Sequence, residues 1–174
     1  DIGSSRRLEV VKGQHPFAVI VTCADSRVPP EHIFSQGLGA FFVVRIAGNV
    51  ADPYVIGSVE YAVEHLHVPL VVVLGHEECG AVAAALAPER PEGNLGRLIS
   101  KIDTGRLVET GDAPLSAAIR NNVMTQMNRM MSRSAVLRTS REEKKAKYVP
   151  GIYHLNDGRV EWLAGGHSEG REGR

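Results

Sequence analysis

The sequence contains no stretch approaching the roughly 18 to 20 apolar residues a membrane span needs. It carries no net charge, with 20 Lys+Arg against 20 Asp+Glu in 174 residues. That balance argues against a dedicated nucleic-acid binder, whose phosphate contacts call for a basic excess. Only two cysteines are present, Cys23 and Cys79, which excludes a disulfide-dense secreted scaffold. No internal repeat is found, and no secretory signal pattern is visible, so a cytoplasmic location is the expectation. What is present is ordinary for a folded chain: 43% hydrophobic and 23% charged residues. The length suits one domain, 1–174, with a short helical arm over 1–13 and a polar, glycine-rich, disordered tail over 165–174.

Three apolar runs rich in β-branched residues stand out: Phe17 to Thr22, Ala40 to Arg45 and Leu70 to Leu74. None alternates with polar residues, which suits strands buried on both faces of a parallel sheet. Between the second and third, Ile56, Val59, Val63 and Leu66 have helical spacing, with Asp52 as cap and Pro53 in the first turn. Further helices are expected over Ser4 to Lys12, capped by Ser4 or Ser5, over Cys79 to Leu86, over Leu98 to Asp103 and over Ala113 to Met131. The methionines of the last form a core or packing stripe. Pro88 to Gly96 reads as a loop. Tyr148 to Leu155 and Arg159 to Leu163 read as a hairpin around Asn156-Asp157-Gly158. The fold class is therefore α/β: a mainly parallel sheet flanked by helices on both faces, with a C-terminal antiparallel strand.

In such sheets functional groups collect beyond the carboxyl ends of strands where the strand order reverses. Cys23 follows the first strand at once, and His76 and Cys79 follow the third. If those strands are neighbours, two thiols and an imidazole converge, a soft donor set suited to tetrahedral zinc. Cys79 and Gly80 also stand at a helix start, which favours the thiolate. Taken alone, two cysteines after buried strands are often small buried hydrophobes; a disulfide is geometrically conceivable but would leave His76 without a role and needs an oxidising compartment. Asp25 lies two residues from Cys23 and Arg27 two further, so a bidentate pair is within reach. It either closes a turn or keeps Asp25 ionised and steers it toward or away from a metal. Phosphate-loop, dinucleotide, nucleophile-elbow and Cys-x-x-Cys patterns are absent from the sequence. The histidines other than His76 read as surface residues.

Four segments in order resemble the β-class carbonic anhydrases: Cys-Ala-Asp-Ser-Arg-Val from Cys23, Phe-Val-Val-Arg-Ile-Ala-Gly-Asn from Phe42, Gly-Ser-Val-Glu-Tyr-Ala-Val from Gly57, and Leu-Gly-His-Glu-Glu-Cys-Gly-Ala-Val from Leu74. The likeness runs from about Gly13 to Val82 and continues more weakly to Leu163. The resemblance implies that family's fold and a zinc enzyme interconverting carbon dioxide and bicarbonate, with zinc-bound hydroxide as nucleophile. It implies Cys23, His76 and Cys79 as Zn2+ ligands, Asp25 and Arg27 as a catalytic dyad, and Asp25 as a fourth ligand in a closed state. It implies substrate contacts from Gln14, Phe42, Tyr61 and Gly80, partly across subunits of a homodimer or homotetramer. Core packing is the other reading of Phe42 and Tyr61. A closed, bicarbonate-inhibited subset of the family is marked by a tryptophan where Ile20 stands, so that regulation is not expected here. Glu77 and Glu78, between two of the implied ligands, are expected to make the site more negative. Two thiolates also cancel the metal charge, so turnover should rise with pH above neutrality. Hydrolysis of carbonyl sulfide or carbon disulfide, or a non-catalytic zinc-stabilised scaffold, are the alternatives.

Overall fold

The computed structural model describes residues 3–105 and 114–164. The expected tail, 165–174, lies outside the described residues. The sheet is built from β1 (Ala18–Thr22), β2 (Phe41–Arg45), β3 (Leu70–His76), β4 (Lys147–Tyr153) and β5 (Val160–Trp162), in the order β2-β1-β3-β4-β5. β1 pairs parallel with both β2 and β3, β3 pairs parallel with β4, and only β5 is antiparallel. The chain moves outward from β1 to β2, then returns to build β3 and β4 on the other side. The order therefore reverses between β1 and β3, and their carboxyl ends flank one crevice. Every residue of β1 is buried, as is β3 after Leu70, which is why both read as unbroken aliphatic runs.

The helices are α1 (Ser4–Val10), α2 (Pro30–Ile33), α3 (Pro53–Glu64), α4 (Gly80–Leu86), α5 (Gly93–Ile99), α6 (Pro114–Arg133) and α7 (Ala135–Glu142). Val19, Val21, Val71, Val73 and Ile152 carry one sheet face into the main core. Val59 and Val63 of α3, Val82 of α4, Val123, Met127 and Met130 of α6, and Leu137 of α7 pack there with them. The methionine stripe is thus core. On the opposite face Ala18, Ile20, Val72 and Leu74 meet Ile33 and Phe34, at the end of the four-residue α2, and Phe41. The expectation of helices on both faces is therefore met unevenly, because one short helix serves the second face. Phe17 and Trp162 stay about half exposed.

Asp52 caps α3 as expected, its carboxylate accepting from Tyr54 N and Val55 N, with Pro53 in the first turn. Other boundaries moved. Gly3, not Ser4 or Ser5, caps α1, and no side chain contributes. The expected loop over Pro88 to Gly96 and helix over Leu98 to Asp103 give way to α5. Gly96 is needed for close approach rather than for a turn, since a Cβ there would lie 2.1 Å from the Pro91 carbonyl oxygen. α7, not among the expected helices, is capped by Ser134, which accepts from Leu137 N at 3.1 Å. Ala113, the expected start of α6, lies outside the described residues. Among the described residues no helix is long and apolar enough to cross a membrane.

Candidate metal centre

β1 ends at Thr22, opposite Arg45 of β2 and Leu74 of β3. The buried Thr22 hydroxyl donates to the Leu74 carbonyl at 2.9 Å and ties the two carboxyl ends together. Cys23 comes next, while β3 runs on through Gly75 to His76. A turn at Glu77 and Glu78 then delivers Cys79, the N-cap of α4. One donor atom from each of Cys23, His76 and Cys79 lies within 4.8 Å of the others, and all three residues are buried. The convergence expected at the β1/β3 switch is therefore present.

The two sulfurs are 4.0 Å apart and both thiols are free. That is far from a disulfide's ~2.05 Å bond. Each thiol shifts the other. The Cys79 contact, helped by His76 and by backbone N–H groups including that of Gly48, pulls Cys23 well below an ordinary thiol. The contact with the Cys23 sulfur, then burial, pushes Cys79 far up. The two sulfurs thus share one negative charge more easily than they hold two.

His76 is 1% exposed. Its Nδ1 lies 2.7 Å from the Glu77 carbonyl oxygen, which can only accept, so Nδ1 carries the hydrogen. Nε2 is left with its lone pair and is buried with no hydrogen-bond partner. A buried imidazole lone pair without a hydrogen-bond partner, beside two thiols, calls for a cation as its partner. The residues fit a metal ion, and this group could hold one.

Asp25 and Arg27 form the expected bidentate pair. Asp25 Oδ1 accepts from Arg27 N and Nε at 2.9 and 3.0 Å, and Oδ2 accepts from Nη2 at 2.8 Å. Hydrogen bonds from the Arg27 side chain are the main reason Asp25 lies well below the usual carboxylate range. Oδ2 is 3.9 Å from His76 Nε2, so the carboxylate stands beside the donor set. Arg27 Nη2 also donates to the Glu78 carbonyl at 3.0 Å. That contact braces a turn in which Glu78 has φ of 51°, a strained left-handed conformation for a non-glycine residue.

The implied pocket residues are placed less tightly. Phe42 is half-buried against the main core, with its ring centroid 6.1 Å from that of the exposed Tyr61. Gln14 is exposed ahead of β1. Gly80 opens α4, and a Cβ there would meet nothing within 4 Å. A cavity of about 640 Å³ elsewhere, between α3 and α7, is lined by Val63, His67, Val136 and Thr139. It touches none of these residues, and the donor chemistry rather than cavity size marks the site.

Three residues at the centre, Arg45, Gly48 and Asn122, were not singled out from the sequence as contributors. Arg45 donates to the carbonyls of Cys23 and Asp25, at 3.1 and 2.5 Å, and holds the loop that carries Asp25. Gly48 N–H donates to the Cys23 sulfur at 3.3 Å, and Gly48 has φ of 67°. Its segment is fixed in turn by the buried Asn122, which donates to the Gly48 carbonyl. The Glu77 carboxylate, expected as negative charge at the site, has partners of its own. It accepts from His154 Nδ1 at 2.6 Å and Leu155 N at 3.0 Å. His154, expected at the surface, is mostly buried there.

The comparisons with known proteins agree with this geometry. The carbonic anhydrase family profile matches residues 18–160. A carbonic anhydrase of Mycolicibacterium smegmatis is 39% identical over 165 residues, covering 91% of this chain and 80% of the relative. One from Mycobacterium tuberculosis is 42% identical over 160 residues, covering 88% and 77%. A tetrameric β-carbonic anhydrase from Sordaria macrospora superposes with a TM-score of 0.81 at 25% identity, covering 90% of this chain and 84% of that one. With its parallel sheet, its Cys-His-Cys group at the β1/β3 crevice and these relatives, the chain belongs to the β-carbonic anhydrase family.

Proposed function

We propose that the chain catalyses the reversible hydration of carbon dioxide to bicarbonate and a proton, with zinc held by Cys23, His76 and Cys79. The observation that carries this reading is the orphaned His76 Nε2, buried beside two thiols and 3.9 Å from the Asp25 carboxylate. Two soft sulfurs and one imidazole are a donor set that would suit zinc. When bound, zinc supplies Lewis acidity that makes water a nucleophile nearer to neutral pH.

The remaining work falls to the chain's own side chains. Arg27 keeps Asp25 ionised and fixes both of its oxygens. Asp25 Oδ2 then accepts a hydrogen bond from the attacking oxygen and aims its lone pair at carbon. Because Arg27 lowers the proton affinity of Asp25, the carboxylate orients without taking the proton. The same pairing keeps Asp25 from serving as a fourth metal ligand and favours an open site. Phe42 and Tyr61 offer an apolar wall suited to carbon dioxide, Gln14 an amide suited to bicarbonate, and Gly80 a clear approach. Gln14 and Tyr61 are exposed on the single chain, so their enclosure belongs to a homodimer or homotetramer. The half-exposed Phe17 and Trp162 and the tetrameric Sordaria relative support that assembly. Two free thiols accord with the reducing cytoplasm.

The test is stopped-flow carbon dioxide hydration at pH near 7 and near 8.5, with zinc counted on the same sample, for the wild type and Arg27→Ala. The expected wild type carries one zinc per chain and turns over faster at the alkaline pH. Arg27→Ala keeps its zinc but loses about 10- to 100-fold in turnover. Full activity in that variant would remove the dyad role. One zinc per chain without turnover would overturn carbon dioxide as substrate and direct the assay to carbonyl sulfide.

A further inference from the structure

Residue Glu77 sits between two ligands of the proposed metal, and every polar group it owns is engaged. Its N–H donates to the Tyr153 carbonyl at 3.0 Å. Its carboxylate takes His154 Nδ1 on one oxygen and Leu155 N on the other. Its carbonyl takes the Nδ1 hydrogen of His76. Three of these contacts lock the residue to the three-residue stretch 153–155 at the end of β4, and the fourth holds the His76 ring.

His154 is itself held. Its backbone N–H donates to the Arg159 carbonyl at 2.8 Å, and its Nε2 lies 3.3 Å from Glu161 Oε2. Arg120, on α6, grips Glu161 with two bonds of 3.0 Å. A continuous polar chain thus runs Arg120, Glu161, His154, Glu77, His76. It crosses from α6 over β5 and β4 to the donor set, and none of its first four members is a ligand. Those first four line a cleft of about 240 Å³ that also includes Ser116 and Asn156.

We infer that His154, acting through Glu77, is a positioning residue that holds the His76 imidazole in its Nδ1–H form with Nε2 presented to the metal. The inference rests on the metal reading above. Its physical basis is the geometry of one peptide group. The Glu77 carbonyl can hold the His76 ring only while the peptide after Glu77 keeps its orientation, and the next residue, Glu78, is in a strained conformation. Arg27 braces that peptide pair from one flank at the Glu78 carbonyl, and His154 with Leu155 braces it from the other. Without the second brace the turn can relax, the carbonyl can leave Nδ1, and the ring is free to change tautomer or rotate. Outer groups of this kind set ligand orientation and metal retention.

The experiment uses the full chain with Glu77→Gln, Glu77→Ala and His154→Ala. Asp52→Ala is the control for lost stability, since it removes a helix cap whose hydrogen bonds go to Tyr54 N and Val55 N and to none of the donors. Zinc release to an excess of chelator is measured first. The three site variants are expected to bind one zinc per chain at saturation and to release it about 10- to 100-fold faster than wild type. Asp52→Ala is expected to release it at the wild-type rate. Nitrogen-15 NMR of the metal-free chains is measured second. The wild-type His76 should be in the Nδ1–H form, with the opposite tautomer rising in Glu77→Ala and His154→Ala. Wild-type release rates together with an unchanged His76 tautomer would overturn the inference. Release no faster than in Asp52→Ala would reduce the chain of contacts to a stability role and overturn it equally. A wild type that takes up no zinc would overturn the metal reading instead, and the tautomer measurement would still decide the positioning role by itself.

Discussion

Gly75 is the point at which β3 passes beneath α6, one residue before His76. A methyl placed there would lie 2.4 Å from Val123 Cγ2 and 3.6 Å from Ile119 Cγ2. Comfortable carbon contacts are about 3.5 to 4.0 Å, so more than about 1 Å must be opened. Val123 is fully buried and β-branched on a helix, where essentially one rotamer is available, so it cannot swing aside. The helix has to lift from the strand. Overpacking of this kind costs about 1–3 kcal/mol. At about 2–4 °C per kcal/mol for a chain of this size, Gly75→Ala should lower the melting temperature by roughly 2–12 °C. Val123→Ala alone removes two buried methyls, a loss of about 2 kcal/mol. It also removes the atom in the way, so the double variant should be less damaged than the sum by about 1 kcal/mol or more. Urea unfolding of the four proteins at one fixed chain concentration measures this, the concentration being held because assembly feeds into stability. A Gly75→Ala midpoint equal to wild type, or strict additivity in the cycle, would refute the claim that β3 and α6 close on this residue.

Gln126 is fully buried and bonds Ala51 N, the Lys101 carbonyl and Asn122 Oδ1. Gln126→Leu should therefore lose at least about 2 kcal/mol in urea unfolding, because several buried groups are left unpaired. Glu161 is held below the ordinary carboxylate range, first by Arg120 and then by His154. A depressed folded value stabilises above the unfolded one, near 4.3, and that benefit is lost as pH falls through the folded value. The stability gap between wild type and Glu161→Gln should thus be present at pH 7 and close below about pH 4. It should be modest, because Arg120 is 42% exposed. A gap that widens in acid would reverse the assignment. Arg45→Met keeps the stem but drops both carbonyl contacts to the Asp25 loop, so turnover should fall about tenfold with zinc content unchanged, as assayed by stopped flow and metal analysis.

The strands were legible because their signal is local: Ala18–Thr22 and Leu70–Leu74 are unbroken aliphatic runs that only a strand buried on both faces needs. The donor set was legible for the same reason, since Cys23 stands directly after the first run and His76 follows the second with only Gly75 between. The dyad spacing, Asp25 to Arg27, is also local and came through intact. What failed to show was non-local. Gly96 resembles a turn residue in sequence, and only its approach to the Pro91 carbonyl explains it inside a helix. The Glu77 carboxylate shows no partner in the sequence because His154 and Leu155 lie 77 and 78 residues away. The signal that could have found them is the pairing of His76 with Tyr153, which follows once β3 and β4 are set in register.

Unequal strand length is what makes this crevice a site. β1 stops at Thr22, while β3 continues past its partner Leu74 to His76, supported by β4 rather than by β1. The chain leaving β1 is therefore free to turn beneath the overhang, which brings the Cys23 sulfur within 4.0 Å of that of Cys79. The overhang needs its own bracing, because a strand end without a neighbour on one side has unpaired backbone groups. β4 supplies that bracing through Tyr153, His154 and Leu155, and Arg45 of β2 supplies it to the loop after β1. Outer strands on both sides thus hold the groups that the two central strands present. Changes at β2 or at the β4 end should accordingly alter the alignment of Asp25 and His76 before they alter the core.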